Sequence, residues 1–418
     1  MRGLISARRP SRLFVAAIVA CAVVLAAGCG GEGGAARGEQ EEGGPFRVGV
    51  VLPFTGTLSF YGQEYRRGFD LAARKINADG GIDGRQLKLV YSNGPTQSAS
   101  TDAVRGFNAK GIKVYTGTGS STFDLADSTL GERLGMVTWA VLSLDTQLTS
   151  RGYKYTIQAG PHTQTFIKPS LEILKTMPER VGVNPSELKV ALISSNDAYG
   201  QSNAAAQKKA IKAMGADLVL EQTYDKVATD LTPVVERIRA AGPHVVLQTG
   251  YTDDVVLMWR DAKSLGYAPP YFIGSGGTVA TNFEEALSGF SNDFIGYSYS
   301  MATPEIEGSM EFLEAYREQY GEEPPSGHSL GAYAGIFKLA DALAAAGTDD
   351  PDALVEAAKG LDQPVGSYPD GCGLKLTNTG RNTRCGAAGF QWQEGELVTV
   401  YPEQFAEEEI IGPIPASR

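Results

Sequence analysis

The strongest constraint on the fold of this chain is an alternation that runs through it twice. From Arg47 onward, short runs rich in apolar and β-branched residues alternate with longer segments of helical period. RVGVVLPF at Arg47–Phe54 predicts a strand. The following segment, Tyr61–Ala78, places Tyr65, Phe69, Ala72 and Ile76 on one helical face and stops at Asp79-Gly80-Gly81. Strands at Leu87–Ser92, Ile112–Thr116 and Met136–Val141 alternate with helices at Ser98–Lys110 and Thr122–Leu134. The pattern restarts with strands at Lys189–Ser195, Leu218–Thr223, His244–Thr249 and Tyr271–Gly274, separated by helices at Tyr199–Met214, Asp230–Ala241 and Thr252–Leu265. Helices at Met310–Tyr320, Ser329–Ala346 and Asp352–Leu361 precede closing strands at Phe390–Gln393 and Leu397–Tyr401. Such βαβα order argues for doubly wound α/β sheets. A length of 418 residues exceeds what one core holds, so two α/β lobes with a cleft between them are expected.

In open α/β sheets, ligands sit beyond the carboxyl ends of the strands. That rule selects the loops after Phe54, Thr116, Val141, Ser195, Thr249 and Ile273. Gly117-Thr118-Gly119-Ser120-Ser121-Thr122 offers backbone N–H groups and hydroxyls at a positive helix end, which suits a carboxylate or another small anion. A plain N-cap by Ser121 or Thr122 would use the same residues; the position at a strand end favours the ligand. Val141-Leu142-Ser143-Leu144-Asp145 is the next such loop. Ser195–Gly200 and Gly250–Asp254 are their counterparts in the second half. Tyrosines and acids there suit an ammonium, although Asp197, Asp253 and Asp254 also read as ordinary helix caps.

The first residues do not belong to the fold. Arg2, Arg8, Arg9 and Arg12 form a basic leader, followed by an apolar run from Leu13 to Ala27, too short for a comfortable membrane span. Arg8-Arg9 lacks the apolar residues that should follow a twin-arginine signal. Leu25-Ala26-Ala27-Gly28-Cys29 resembles a lipobox, which implies removal of residues 1–28 and attachment of a diacylglyceryl group to Cys29. Ordinary cleavage leaving Cys29 as a thiol is the alternative. Residues 29–44, rich in Gly, Glu and Ala, read as the acylated cysteine and a flexible tether.

Removal of residues 1–28, with four Arg and no acid, takes the net charge from −11 to −15. So acidic a chain has no electrostatic reason to bind nucleic acid. Of four cysteines, Cys21 leaves with the leader and Cys29 is the expected anchor. Cys372 and Cys385 remain as an even pair in an exported chain, and predict a disulfide closing a local hairpin. The three histidines, His162, His244 and His328, are scattered without metal-ligand spacing, so no metal and no cofactor is expected. Capping or packing accounts for each of them.

Enzyme readings fail on inventory. There is no G-x-x-x-x-G-K-[ST] loop, no G-x-G-x-x-G fingerprint and no G-x-S-x-G elbow. A hydrolase using Ser121 as nucleophile is the enzyme alternative, separable by assaying turnover of amides or esters.

Four stretches carry a family resemblance: RVGVVLPFTGTLSFYGQEYRRGFDLAARKINADGGIDGRQLKLV (47–90), NDAYGQSNAAAQKKAIKAMGADLVLEQTY (196–224), ERIRAAGPHVVLQTGYTDD (236–254) and YAGIFKLADALAAAG (333–347). With them the chain, from Arg47 to Tyr401, resembles the branched-chain amino-acid-binding proteins of ABC importers, the type I periplasmic-binding fold. The resemblance implies two lobes joined by a three-stranded hinge, lobe one at 45–160 plus 302–375 and lobe two at 161–301 plus 376–418. It implies that Tyr61 covers the solute's side chain, Ser121 binds its α-carboxylate, a backbone group of Leu142 holds it, and Tyr199 and Tyr251 contact it from the second lobe. The family's threonine falls on Leu144, with Ser143 one position earlier. The acid that pairs the solute's ammonium falls on Gly276. Either Asp253, Asp254 or Asp197 substitutes, or the ligand has no ammonium, because an unpaired buried ammonium is costly.

The expected function is therefore capture of a branched-chain-like amino acid or a related small polar solute by hinge closure, for delivery to an ABC permease by an exported, monomeric lipoprotein on the outer face of the cell membrane or in the periplasm. Amides, urea-like solutes and carboxylic acids stay open as ligands. A sensor is the second reading; as a receptor it calls for a transmembrane helix and a signalling domain after the module, so a stand-alone carrier is preferred, with a lipoprotein that presents its ligand to a sensor as the alternative.

Overall fold

Strands buried on both faces read as unbroken apolar runs, and FRVGVVL at Phe46–Leu52 and VVLQT at Val245–Thr249 are buried along almost their whole length. The structure, a computed structural model, describes residues 43–299 and 302–415. The expected leader, Cys29 and nearly all of the expected tether lie outside the described residues.

The first run comprises β1 (Phe46–Leu52), α1 (Ser59–Ala78), β2 (Leu87–Asn93), α2 (Gln97–Ala109), β3 (Val114–Gly117), α3 (Ser121–Leu134), β4 (Val137–Ala140), α4 (Gln147–Ser150) and β5 (Thr156–Gln158). Its five strands pair in the order β2-β1-β3-β4-β5, all parallel. The second run comprises α5 (Thr163–Phe166), α6 (Lys168–Val181), β6 (Lys189–Ser195), α7 (Ala198–Met214), β7 (Asp217–Tyr224), α8 (Thr232–Ala241), β8 (Val245–Thr249), α9 (Thr252–Ser264), β9 (Tyr271–Gly274), α10 (Thr281–Leu287) and β10 (Ile295–Ser298). The remainder is α11 (Ser309–Tyr320), α12 (His328–Ala346), α13 (Pro351–Gly360), β11 (Asp362–Gln363), β12 (Leu374–Lys375), β13 (Ala388–Gln393) and β14 (Glu396–Tyr401). The second sheet runs β14-β13-β10-β9-β8-β6-β7. It is parallel from β7 to β10 and antiparallel from β10 to β14.

The chain passes between the sheets three times: between β5 and β6, between β10 and α11, and between β12 and β13. On its return, α12 packs against α1. The backbone of Gly68 lies against the Ser329 carbonyl, where a Cβ would collide. That close approach sets the start of α12 beside the middle of α1.

The third crossing is held by a compact loop. Cys372 and Cys385 are joined as a disulfide, and Leu376 bridges Asn382 in antiparallel register. Arg381 donates from Nε to Thr149 Oγ1 (2.9 Å) and from NH2 to the Thr146 carbonyl (3.0 Å). Asn382 Nδ2 donates to the Ala159 carbonyl at 2.8 Å. Residues 376–382, expected with the second lobe, are therefore bound to the first sheet, because Arg381 and Asn382 satisfy carbonyls and hydroxyls there. Behind the loop, Lys338 Nζ, fully buried, pairs with Asp370 Oδ2 at 2.6 Å. Among the described residues no helix is long and apolar enough to cross a membrane.

Candidate functional site

The order β2-β1-β3 reverses direction between β1 and β3, and β7-β6-β8 does so between β6 and β8. Such switch points open crevices at strand carboxyl ends. At the first, β3 turns into α3 through two glycines that no other residue replaces without strain. Gly117 sits at φ +116° with the Val51 carbonyl where a Cβ would be, and Gly119 at φ +62° with the Tyr65 ring over it. Ser120, the N-cap of α3, makes no side-chain capping bond, and its hydroxyl is buried without a partner. The first N–H groups of α3 thus keep their capacity to bind an anion.

Ser121 opens the helix. Its Oγ accepts from the N–H groups of Leu144 and Asp145, both at 3.3 Å, and from Ser143 Oγ at 3.4 Å. With the oxygen engaged as acceptor, the hydroxyl proton is left to donate. Burial pushes the Asp124 carboxyl, in the same first turn, up to about 8. It is thus mostly protonated at neutral pH and does not repel an anion at the helix end.

From the other sheet come Tyr199 at the start of α7, Tyr251 as N-cap of α9, and Gly276 after β9. Tyr61 of α1 meets them. Its Oη accepts from the Thr252 N–H at 3.0 Å and exchanges a second hydrogen bond with Thr252 Oγ1 at 3.1 Å. The Tyr61 and Tyr251 rings stand 5.7 Å apart, and those of Tyr199 and Tyr251 5.4 Å apart. Together these residues wall a small cavity of about 30 Å³.

Of the residues singled out from sequence, Tyr61, Ser121, Leu142, Leu144, Tyr199, Tyr251 and Gly276 wall this cavity. Thr122, Ser143 and Asp253 do not. Thr122 Oγ1 instead accepts from the Ala198 N–H at 3.4 Å, tying α3 to α7. Ser143 turns to Ser121, and Asp253 points from α9 into solvent. The Leu142 carbonyl accepts from the Tyr299 hydroxyl at 3.2 Å.

The other two acids considered as ammonium partners are already engaged. Asp197 accepts from Lys226 Nζ at 2.8 Å and from the Tyr251 hydroxyl at 2.8 Å. Burial raises its pKa, but the Lys226 charge outweighs that and holds it below the usual range. Asp254 caps α9 through the N–H groups of Tyr251 (2.7 Å) and Val255 (3.0 Å), and burial raises its carboxyl to about 7.

Sequence reasoning missed Tyr65, Phe166, Tyr299 and His328, all of which line the cavity. Tyr65 was legible as a neighbour of Tyr61 one turn on. His328 had no signal, because only the α1–α12 packing brings it in. Its ring lies 4.9 Å from that of Tyr61 and 5.1 Å from that of Tyr299. Nδ1 is paired with Ser326 Oγ at 2.9 Å, and burial pushes the imidazole down to about 3, so it is neutral.

The periplasmic binding protein family pattern matches residues 45–396. The chain belongs to the periplasmic binding protein family. A curated relative, Leu/Ile/Val-binding protein homolog 8 of Brucella abortus, is 35% identical over 370 residues, covering 86% of this chain and 91% of the relative. Among solved structures, the branched-chain amino acid transporter substrate-binding protein LivJ of Streptococcus pneumoniae, in complex with isoleucine, superposes with a TM-score of 0.73 at 19% identity. That match covers 88% of this chain and 100% of LivJ. A solute-binding protein of an R. palustris ABC transporter, in complex with 4-hydroxybenzoate, gives a TM-score of 0.75 at 16% identity and covers 89% and 98%. The expected type I periplasmic-binding fold is the fold observed. The chain is thus a periplasmic binding protein whose curated relatives carry the name Leu/Ile/Val-binding protein homolog.

Proposed function

We propose that this periplasmic binding protein closes two lobes over one small polar solute and hands it to an ABC permease while tethered to the membrane by a lipid on Cys29. The lobes correspond to the two sheets with their helices, and the three crossings serve as the hinge. The observation that carries the reading is the cavity enclosed by strand-end loops of both sheets, bridged by the Tyr61–Thr252 hydrogen bonds. A ligand touching both walls stabilises the closed arrangement by its differential affinity for it.

The names of the curated relatives favour a branched-chain amino acid. The R. palustris neighbour with 4-hydroxybenzoate supports a second possibility, an organic acid. A thermal-shift screen of amino acids, amides and small carboxylates on the chain from Pro45 decides whether a solute binds at all, since tight ligands raise the melting temperature by linkage. Absence of any hit would remove the solute-capture reading. The lipid is tested separately. Full-length protein should partition into the detergent phase of a Triton X-114 extraction, and Cys29→Ala should move it to the aqueous phase. Equal partitioning of the two forms would remove the anchor.

A further inference from the structure

Resting on that solute-capture reading, we propose that the ligand is a small organic acid that carries no ammonium. Its carboxylate sits at the α3 N-terminus and Ser121. Its body lies among the tyrosines. Beside Gly276, an uncharged hydroxyl, keto or amide group meets His328 Nε2.

Three observations converge on this. First, among the described residues no Asp, Glu, Lys or Arg side chain lines the cavity. A buried ammonium would find no counter-charge there, whereas a carboxylate finds the uncapped N-terminus of α3 and the free proton of Ser121.

Second, the corner of the cavity beside Gly276 is built for a neutral polar group. A Cβ on residue 276 would lie 3.6 Å from His328 Nε2 and 3.4 Å from Ser298 Oγ. The Ser298 hydroxyl is fully buried and has no hydrogen-bond partner. Since Ser326 takes His328 Nδ1, Nε2 is the nitrogen left to face this corner, and among the described residues it carries no hydrogen bond. A fully buried hydroxyl left without a partner is costly unless something completes it, and the ring nitrogen stands beside it. An uncharged donor–acceptor group on the ligand does so; an ammonium would satisfy them and still lack a counter-charge.

Third, the walls are aromatic rings packed on one another, which suits the apolar body of an acid. His328 meets Tyr61 at 72° and Tyr299 at 68°, and Tyr61 meets Tyr251 at 74°, each edge to face.

Isothermal titration of the chain from Pro45 with matched probes tests the assignment. The probes are L-leucine, the α-keto and α-hydroxy acids of the leucine skeleton, leucinamide, benzoate, 4-hydroxybenzoate and glycine betaine. At least one amine-free acid should bind ten or more times tighter than L-leucine, and leucinamide should not bind. Gly276→Asp should reverse the order of L-leucine and its deaminated acids, because a Cβ at 276 meets only ordinary van der Waals contacts. L-Leucine or glycine betaine binding as tightly as every amine-free acid would overturn this inference and leave solute capture standing. Failure of every probe, together with failure of the wider thermal screen, would overturn the solute-capture reading itself.

Discussion

Replacing Tyr61 with Phe removes one oxygen and leaves the ring that walls the cavity. In the closed arrangement that oxygen makes two hydrogen bonds to Thr252, one from the backbone N–H at 3.0 Å and one with Oγ1 at 3.1 Å. Both partners are buried. A neutral hydrogen bond contributes about 1 kcal/mol net, so the pair contributes about 2 kcal/mol to closure. When the lobes part, Thr252 and Tyr61 are solvated, so the loss falls on the closed state alone. That shifts the closed-to-open ratio on the order of 30-fold. If the free protein is mainly open, the dissociation constant of any solute identified by the thermal screen should rise by about the same factor. Titration calorimetry measures the affinity. Small-angle scattering of free and ligand-saturated protein measures the closure. A Tyr61→Phe/Thr252→Val cycle should be non-additive by about 1 kcal/mol, because both changes remove the Oγ1 bond while Thr252→Val keeps the backbone N–H. Unchanged affinity and unchanged scattering in a well-folded Tyr61→Phe protein would refute the idea that this contact latches the lobes.

Ser121→Ala should weaken any carboxylate ligand by about tenfold or more, since a hydrogen bond to a charged group is worth about 1.5–3 kcal/mol; unchanged affinity in titration would remove the Gly117–Thr122 loop from the site. Burial raises the carboxyl pKa of Asp124 to about 8 and of Asp254 to about 7. Acids whose folded pKa is raised contribute stability at low pH that is lost as pH climbs through the folded values. The melting temperature should therefore fall between about pH 4 and about pH 8, and Asp124→Asn should flatten the slope; an equal slope in the variant would refute the assignment. The Cys372–Cys385 bridge spans a sequence separation of 13, so replacing both cysteines with Ser should cost about 3 kcal/mol. Denaturant titration reads this, and an unchanged midpoint would show that Arg381 and Asn382 hold the loop without it.

Long, periodic elements were legible in the sequence. The face of Tyr65, Phe69, Ala72 and Ile76 placed α1, and the apolar runs at Lys189–Ser195 and His244–Thr249 placed the inner strands of the second sheet. Short or masked patterns were not. β5 has three residues and β10 has four, one of them Gly296, too few to show a period. α6 buries Ile173, Leu174 and Met177 on a proper stripe, but Pro169 at its start and Pro178 within it read as breakers. The strand-end rule found the half of the site contributed by loops. It missed Tyr299 and Phe166 because the strands they follow, β10 and β5, are too short to read, and it missed His328 because only the packing of α12 on α1 brings it in. It also admitted Asp253, which the turn of α9 directs outward while Asp254 turns in to cap the helix.

The packing of α12 on α1 has a consequence for how the chain is made. The apolar stripe of α1, within residues 59–78, is synthesised early, yet the helix that covers it spans residues 328–346. Everything from β6 to β10 must emerge in between. For most of its passage across the membrane, then, the first half exposes greasy surface that only a late segment can seal, a long-range dependence that slows folding and invites aggregation or proteolysis. A nascent chain halted before residue 328 should be a ready substrate for periplasmic or cell-surface proteases and for chaperones that cradle unfinished proteins.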